Sequence, residues 1–204
     1  SLQPSIMKQF LLRNALFRKP GRIPLAAIIL IILPHFLQGQ YLEYFTGQGG
    51  KGVVNATCTG ASASTCTPAP NLTGVNWTIT GDFSGFSNGD DFGVFSFGGF
   101  AFFQAEDTDN EVCWVSPTLD ISAPGAVSIS VFASEQDNLE PDDYIRAEYS
   151  LNGGPFVQFG YQADDFPSGT RTFTVSGLTG NTLVIRICVD VDGEAIRFDN
   201  ILVP

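Results

Sequence analysis

The segment TLVIRICVDVD, Thr182 to Asp192, places Leu183, Ile185, Ile187, Val189 and Val191 at alternate positions. Val184, Arg186, Cys188, Asp190 and Asp192 fill the positions between them. A period of two is that of an extended strand with one face buried; a helix would repeat its apolar residues every three or four. The same period runs through VSISVFASE from Val127 and YIRAEYSL from Tyr144. The closing AIRFDNILV sets Ile196, Phe198, Asn200 and Leu202 against Arg197, Asp199, Ile201 and Val203. FVQFGY and RTFTVSG supply further strands, and Asn152-Gly153-Gly154 is a hairpin turn. Gly, Pro, Asn and Asp interrupt the runs about every 8 to 12 residues, the punctuation of a sandwich. The sequence predicts an all-β, antiparallel β-sandwich.

The first 39 residues depart from this pattern. Met7 reads as the true start, with Ser1 to Ile6 upstream of it. Lys8, Arg13, Arg18, Lys19 and Arg22 precede the apolar run PLAAIILIILPHFL, and Gly39 stands before Gln40. A basic leader, a short apolar core and a small residue describe a secretory signal peptide. The run falls short of the roughly 20 apolar residues that span a bilayer; an uncleaved anchor is the rival reading. Residues 40–204 are then the single sandwich domain, secreted or held at the cell surface.

The formal net charge of −11 understates the domain's acidity. Beyond the leader, Lys51, Arg146, Arg171, Arg186 and Arg197 face all 21 acidic residues, a net charge of −16. Such a surface repels phosphate backbones, which argues against nucleic acid as a partner. The only histidine, His35, lies in the leader, so the domain lacks the imidazole of Ser-His-Asp and Cys-His catalysis and of histidine-held zinc. GQGGKG around Lys51 is no phosphate loop, because Gly52 follows the lysine.

Cys58, Cys66, Cys113 and Cys188 form an even set in an exported chain, and disulfides are expected. Cys58 and Cys66 enclose the small, flexible TGASAST, which favours pairing them; Cys113 with Cys188 follows by elimination. The other two connectivities stay open. Their spacing does not suit paired zinc knuckles. Three Asn-X-Thr sequons, at Asn55, Asn71 and Asn76, matter only in a eukaryotic secretory route.

The stretch FQAEDTDNEVCW carries Glu106, Asp107, Asp109 and Glu111 between two strand-like runs. Either these acids are a solvated loop or they surround a cation. Asp107 and Asp109 are two apart and would project from one side of an extended chain. Carboxylates and carbonyls suit calcium, which takes six to eight oxygens at about 2.3–2.6 Å. Arg197 competes for any one of these acids. A second acidic group, Glu135, Asp137, Glu140, Asp142 and Asp143, reads as a solvated loop, with a further cation site or a ligand rim as its alternative. The Phe-rich run from Phe83 to Phe103 reads as short strands filling the core, with a sugar-stacking platform as the other possibility. Trp77 and Trp114 are assigned to the core; Tyr144, Tyr149, Phe156 and Tyr161 are candidates for an exposed platform.

YLEYFTGQGGKG, FQAEDTDNEVCWVSPTLDIS, SEQDNLEPDDYIRAEYSLNGG, GLTGNTLVIRI and RFDNILV, in this order, resemble a jelly-roll β-sandwich module of secreted multidomain proteins of Bacteroidetes-type bacteria. The module is similar to carbohydrate-binding and MAM-like sandwiches. The resemblance implies that the first and last strands lie side by side. It also implies a structural Ca2+ held by Glu43 and Asp199, to which Asp107, Asp109 and Glu111 would add oxygens. It implies a non-catalytic extracellular module recognising a polysaccharide or cell-surface glycan, or adhesive, with neighbouring domains of a larger secreted protein as partners. The alternatives are a structural spacer and, less favoured, a glycoside hydrolase, for which no particular carboxylate pair stands out.

Overall fold

A computed structural model describes residues 41–59 and 65–204. The leader expected in residues 1–39, His35 within it, and most of the loop between Cys58 and Cys66 lie outside the described residues. The described chain contains thirteen strands and no helix. They are β1 (Tyr41–Glu43), β2 (Gly52–Val53), β3 (Thr78–Gly81), β4 (Asp91–Phe97), β5 (Phe100–Glu106), β6 (Val112–Val115) and β7 (Leu119–Asp120). The second half supplies β8 (Val127–Gln136), β9 (Tyr144–Leu151), β10 (Val157–Ala163), β11 (Thr170–Leu178), β12 (Thr182–Asp190) and β13 (Ala195–Val203).

Two antiparallel sheets result, as the alternating sequence predicts. The seven-stranded sheet runs β11-β8-β13-β5-β4-β2, with β1 also on β13; the six-stranded sheet runs β10-β9-β12-β6-β3, with β7 on β12. The first and last strands are neighbours, with Tyr41 opposite Val203 and Glu43 opposite Ile201. The alternating apolar residues meet in the core: Leu183, Ile185, Ile187 and Val189 of β12, Ile129 and Val131 of β8, and Ile196 and Phe198 of β13 are all buried.

Trp77 and Trp114 are core residues, 1% and 0% exposed. They surround Phe45 together with Phe103 and Phe198, at ring-centroid distances of 5.5 to 6.4 Å. The Phe-rich run fills the core only in part. Phe86, Phe92 and Phe103 are fully buried, whereas Phe97 and Phe100, at the tip of the β4–β5 hairpin, are 82% and 78% exposed. Gly98 and Gly99 close that hairpin with φ of +59° and +88°, a turn that side chains rarely permit.

One strand breaks the expected alternation. On β13 Ile196, Phe198, Ile201 and Val203 are buried, as is Ala195 at its start, whereas Asn200 and Leu202 are not. Asn200 takes φ of +53° and the β8–β13 register slips between Asp199 and Leu202. The bulge inserts one residue and reverses which side chains face inward beyond it.

Cys58 is bonded to Cys66, and Cys113 to Cys188. The second bond joins β6 and β12, on which the two cysteines stand directly opposite. Around it the six-stranded sheet's outer face carries a closed set of ion pairs. Arg146 meets Glu111 at 2.7 Å and Glu148 at 3.2 Å, and Arg186 meets Glu148 at 2.7 Å. Arg186 also lies over the Phe156 ring, 3.8 Å from its centroid.

Candidate functional site

The five residues expected to hold calcium fall in three places. Asp107 and Asp109 do converge, though not as neighbours on an extended chain. Both take left-handed φ, +51° and +55°, with the fully buried Thr108 between them. The Thr108 and Asp109 N–H groups donate to the Val191 carbonyl at 2.8 and 3.1 Å, zipping this loop to the β12–β13 turn. That turn brings in Asp192, and carboxylate oxygens of Asp107, Asp109 and Asp192 lie within 4.8 Å of one another. Burial raises the pKa of Asp107, and repulsion from Asp90, Asp109 and Asp192 adds to it. Asp109 is raised by the same causes, burial first. Asp192 was not among the expected ligands; its signal is the Asp-Gly step that ends a strand, a turn dipeptide that brings the carboxylate to the sandwich's end.

Glu111 turns away from this cluster. It pairs with Arg146, and the Tyr144 hydroxyl donates to it at 2.6 Å. Glu43 is buried, and its Oε1 accepts the Phe45 N–H at 2.7 Å and the Gln48 amide at 2.9 Å. Those donors hold one of its two carboxylate oxygens. Asp199 stands on the closing strand, four residues beyond Ala195, the register partner of Glu106. At about 3.3 Å per residue, Asp199 is ~13 Å along β13 from the start of the Asp107 loop. One coordination sphere therefore cannot include all five.

In the second acidic group, Asp143 accepts the Glu140 and Asp192 N–H groups at 2.8 and 3.1 Å. Glu135 accepts the Phe166 N–H. These acids cap loop backbone. Burial raises the Glu194 pKa, and its contact with Glu140 raises it further.

Asp199 belongs instead to a groove on the outer face of the seven-stranded sheet. A cavity of about 220 Å³ is lined there by Phe100, Phe102, Phe132, Ser134, Arg197 and Asp199, among others. Register builds it. Arg197 stands between Ser134 of β8 and Gln104 of β5, and Asp199 opposite Phe132. The Arg197 guanidinium lies over the Phe102 ring at 4.5 Å. Its Nε donates to Gln104 Oε1 at 2.7 Å and its Nη1 to Gln136 Oε1 at 2.8 Å. The Gln104 amide passes the chain on to Glu106 at 2.6 Å and Asp91 at 3.4 Å. Burial pushes Asp91 up to about 6. Burial, with repulsion from Glu43, also pushes Asp199 up to about 6, against the pull of the Asn200 N–H. Asp199 Oδ1 is buried and has no hydrogen-bond partner.

The expected platform residues lie on the opposite sheet. Tyr144 and Tyr161 pair at 5.6 Å, and Tyr149 sits 6.1 Å from Phe159.

No family model matches the chain, and no curated protein matches its sequence. Solved structures do match its fold. The chain is similar to adhesin domains of Lys-gingipain from Porphyromonas gingivalis. The K3 cleaved adhesin domain is 14% identical with a TM-score of 0.47, over 63% of this chain and 91% of that one. The K1 domain is 15% identical with a TM-score of 0.44, over 81% and 98%. The carbohydrate-binding module TmCBM61, in complex with β-1,4-galactotriose, is 12% identical with a TM-score of 0.47, over 63% and 87%.

Proposed function

We propose that this chain is a non-catalytic, extracellular binding module of glycan-recognising or adhesive type, and that the groove on the seven-stranded sheet is its ligand site. The observation that carries the reading is Asp199 Oδ1, a buried acceptor without a donor, at an aromatic-lined groove. Burying a polar atom unpaired is costly, so a ligand that brings a hydroxyl there gains a hydrogen bond the free protein lacks. Phe132 and Phe102, the latter with the Arg197 guanidinium over its ring, line the groove with apolar surface. A sugar ring has both an apolar face and hydroxyl edges, and binding sites combine apolar walls with a few placed polar groups. The volume is below the roughly 300–1,000 Å³ of drug-sized ligand pockets and suits one ring of a longer polymer. The two disulfides fit an oxidising compartment outside the cytosol. In this reading the module serves neighbouring domains of a longer secreted protein, bringing them to a surface.

A panel of immobilised polysaccharides tests it. Wild-type chain is expected to be retained by at least one of them. Phe102→Ala and Phe132→Ala should each weaken retention by about tenfold, the loss of ~1.4 kcal/mol. Tyr161→Ala, on the other sheet, should leave it unchanged. Failure of every polysaccharide to retain the folded chain would favour the structural spacer.

The calcium belongs, in the same reading, between Asp107, Asp109 and Asp192 rather than at the terminal strands. Three hard carboxylate oxygens suit this ion, and its charge would relieve the repulsion that adds to burial in raising the pKa values of Asp107 and Asp109. Adding calcium at one hundred times its dissociation constant should stabilise the chain by about 2.7 kcal/mol beyond sodium chloride of equal ionic strength. Asp109→Asn should remove most of that increment. Equal melting curves in the two salts would retire the site.

A further inference from the structure

We infer that the tip of the β4–β5 hairpin is a second subsite beside the groove, where Phe97 and Phe100 stack a further ring of the same linear polysaccharide. It rests on the reading of the groove as a glycan site, and it sets how much of the polymer is held: an internal stretch of several rings, not a single sugar. Register puts four phenylalanines on one face of the hairpin. Phe95 stands opposite Phe102 and Phe97 opposite Phe100, while Val94, Ala101 and Phe103 point into the core. The two rungs differ. The inner one is taken up by the fold: the Phe95 and Phe102 rings lie parallel at 6.2 Å, and the Arg197 guanidinium lies over Phe102 at 4.5 Å. The outer one, Phe97 and Phe100, is left in water. β13 pairs with β5 only from Phe103 to Glu106, and β2 with β4 only at Phe92 and Gly93, so no strand flanks this rung. Two such rings side by side make an apolar patch that a partner would cover favourably. The run from Phe92 to Phe103 carries no charge, in a domain of net charge −16. A second copy of so acidic a domain is a poor occupant, because like charges repel. Continuity with the groove selects the occupant instead. Phe100 is at once half of the exposed rung and a wall of the groove that holds Phe132 and Asp199. β8, which carries Phe132, and β4, which carries Phe97, are three strand spacings apart in the sheet, about 14 Å. A sugar seated over Asp199 therefore has exposed aromatic surface on its hairpin side, where the next rings of its chain can lay their apolar faces and keep their hydroxyls in water.

Calorimetry with the disaccharide and the hexasaccharide of β-1,4-galactan, cellulose, β-1,4-mannan and β-1,4-xylan tests the subsite. For at least one of these sugars the hexasaccharide is expected to bind about tenfold tighter than the disaccharide, or more. Phe97→Ala changes an exposed side chain, so its melting curve should match wild type. It is expected to weaken the hexasaccharide about tenfold and to leave the disaccharide unchanged. Phe132→Ala should weaken both. A hexasaccharide bound no tighter than the disaccharide would overturn the second subsite and leave the groove reading standing. So would a folded Phe97→Ala protein that is unchanged toward the hexasaccharide, or weakened equally toward both sugars. A wild-type chain that sediments as a dimer and becomes monomeric on Phe97→Ala would assign the tip to a second copy and overturn it likewise. Absence of binding to every one of these oligosaccharides would overturn both readings.

Discussion

Replacing Cys113 and Cys188 together by alanine is expected to cost about 4 kcal/mol and to lower the melting temperature by roughly 8–16 °C. The bond closes a loop between residues 75 apart in sequence, so it removes much of the unfolded chain's freedom. Cys58 and Cys66 are only 8 apart, and the same chain-entropy argument gives their loss about 2–3 kcal/mol. Position sharpens the difference. Cys113 sits on β6, a four-residue strand between β12 and the equally short β3. Cutting the bond frees that edge of the six-stranded sheet, along with Trp114, which the core receives from β6. Total stability of a domain is commonly about 5–15 kcal/mol, so losing the long-range bond takes a large share of it. Urea denaturation of the two double variants measures both costs. If the Cys58/Cys66 variant lost as much as the Cys113/Cys188 variant, loop closure would not be what the second bond contributes.

The sequence made the strands legible because alternation has only one geometric meaning. Leu183, Ile185, Ile187 and Val189, and Ile129 and Val131, face inward as their spacing requires. Alternation fails where one residue leaves the extended region. Asn200 does so on β13, and the inward face passes from the even positions to Ile201 and Val203. No pattern of apolar residues announces this, since Ile201 and Leu202 are both acceptable on either face. The acidic loop illustrates the same limit. Asp107 and Asp109 were visible, but their meeting with Asp192 depends on two left-handed residues and on the Thr108–Val191 contact, 83 positions apart. The groove was hidden for another reason. Phe102 and Phe103 are adjacent and take opposite faces, so the sequence marks both as aromatic without saying which one meets solvent. Gln104 and Gln136 carry no charge to draw notice, yet they fix the orientation of Arg197.

Phe45→Ala should destabilise the chain by about 3–5 kcal/mol, and Phe45→Gly should be less harmful than Phe45→Ala. The first part follows from packing. The ring is fully buried and contacts Phe103, Trp114, Phe198 and Trp77 at once, so its removal leaves a cavity where both sheets meet. The second part reverses the ordinary order. Within a strand or helix, glycine is worse than alanine by roughly 0.5–1 kcal/mol, because it gives up more freedom on folding. Phe45, however, has φ of +53°, where any side chain costs roughly 1–2 kcal/mol. Alanine keeps that strain and loses the ring; glycine loses the ring and the strain together. The left-handed turn also lets the Phe45 N–H reach back to Glu43, two residues earlier, while its ring enters the core. Phe45 thereby ties the end of strand β1 to the interior, in addition to the pairing of β1 with β13. Denaturant midpoints for Phe45→Ala, Phe45→Gly and Phe45→Leu separate the two contributions, with leucine expected to retain part of the packing. A glycine variant less stable than the alanine variant would mean that this backbone is extended and that the opening strand is held some other way.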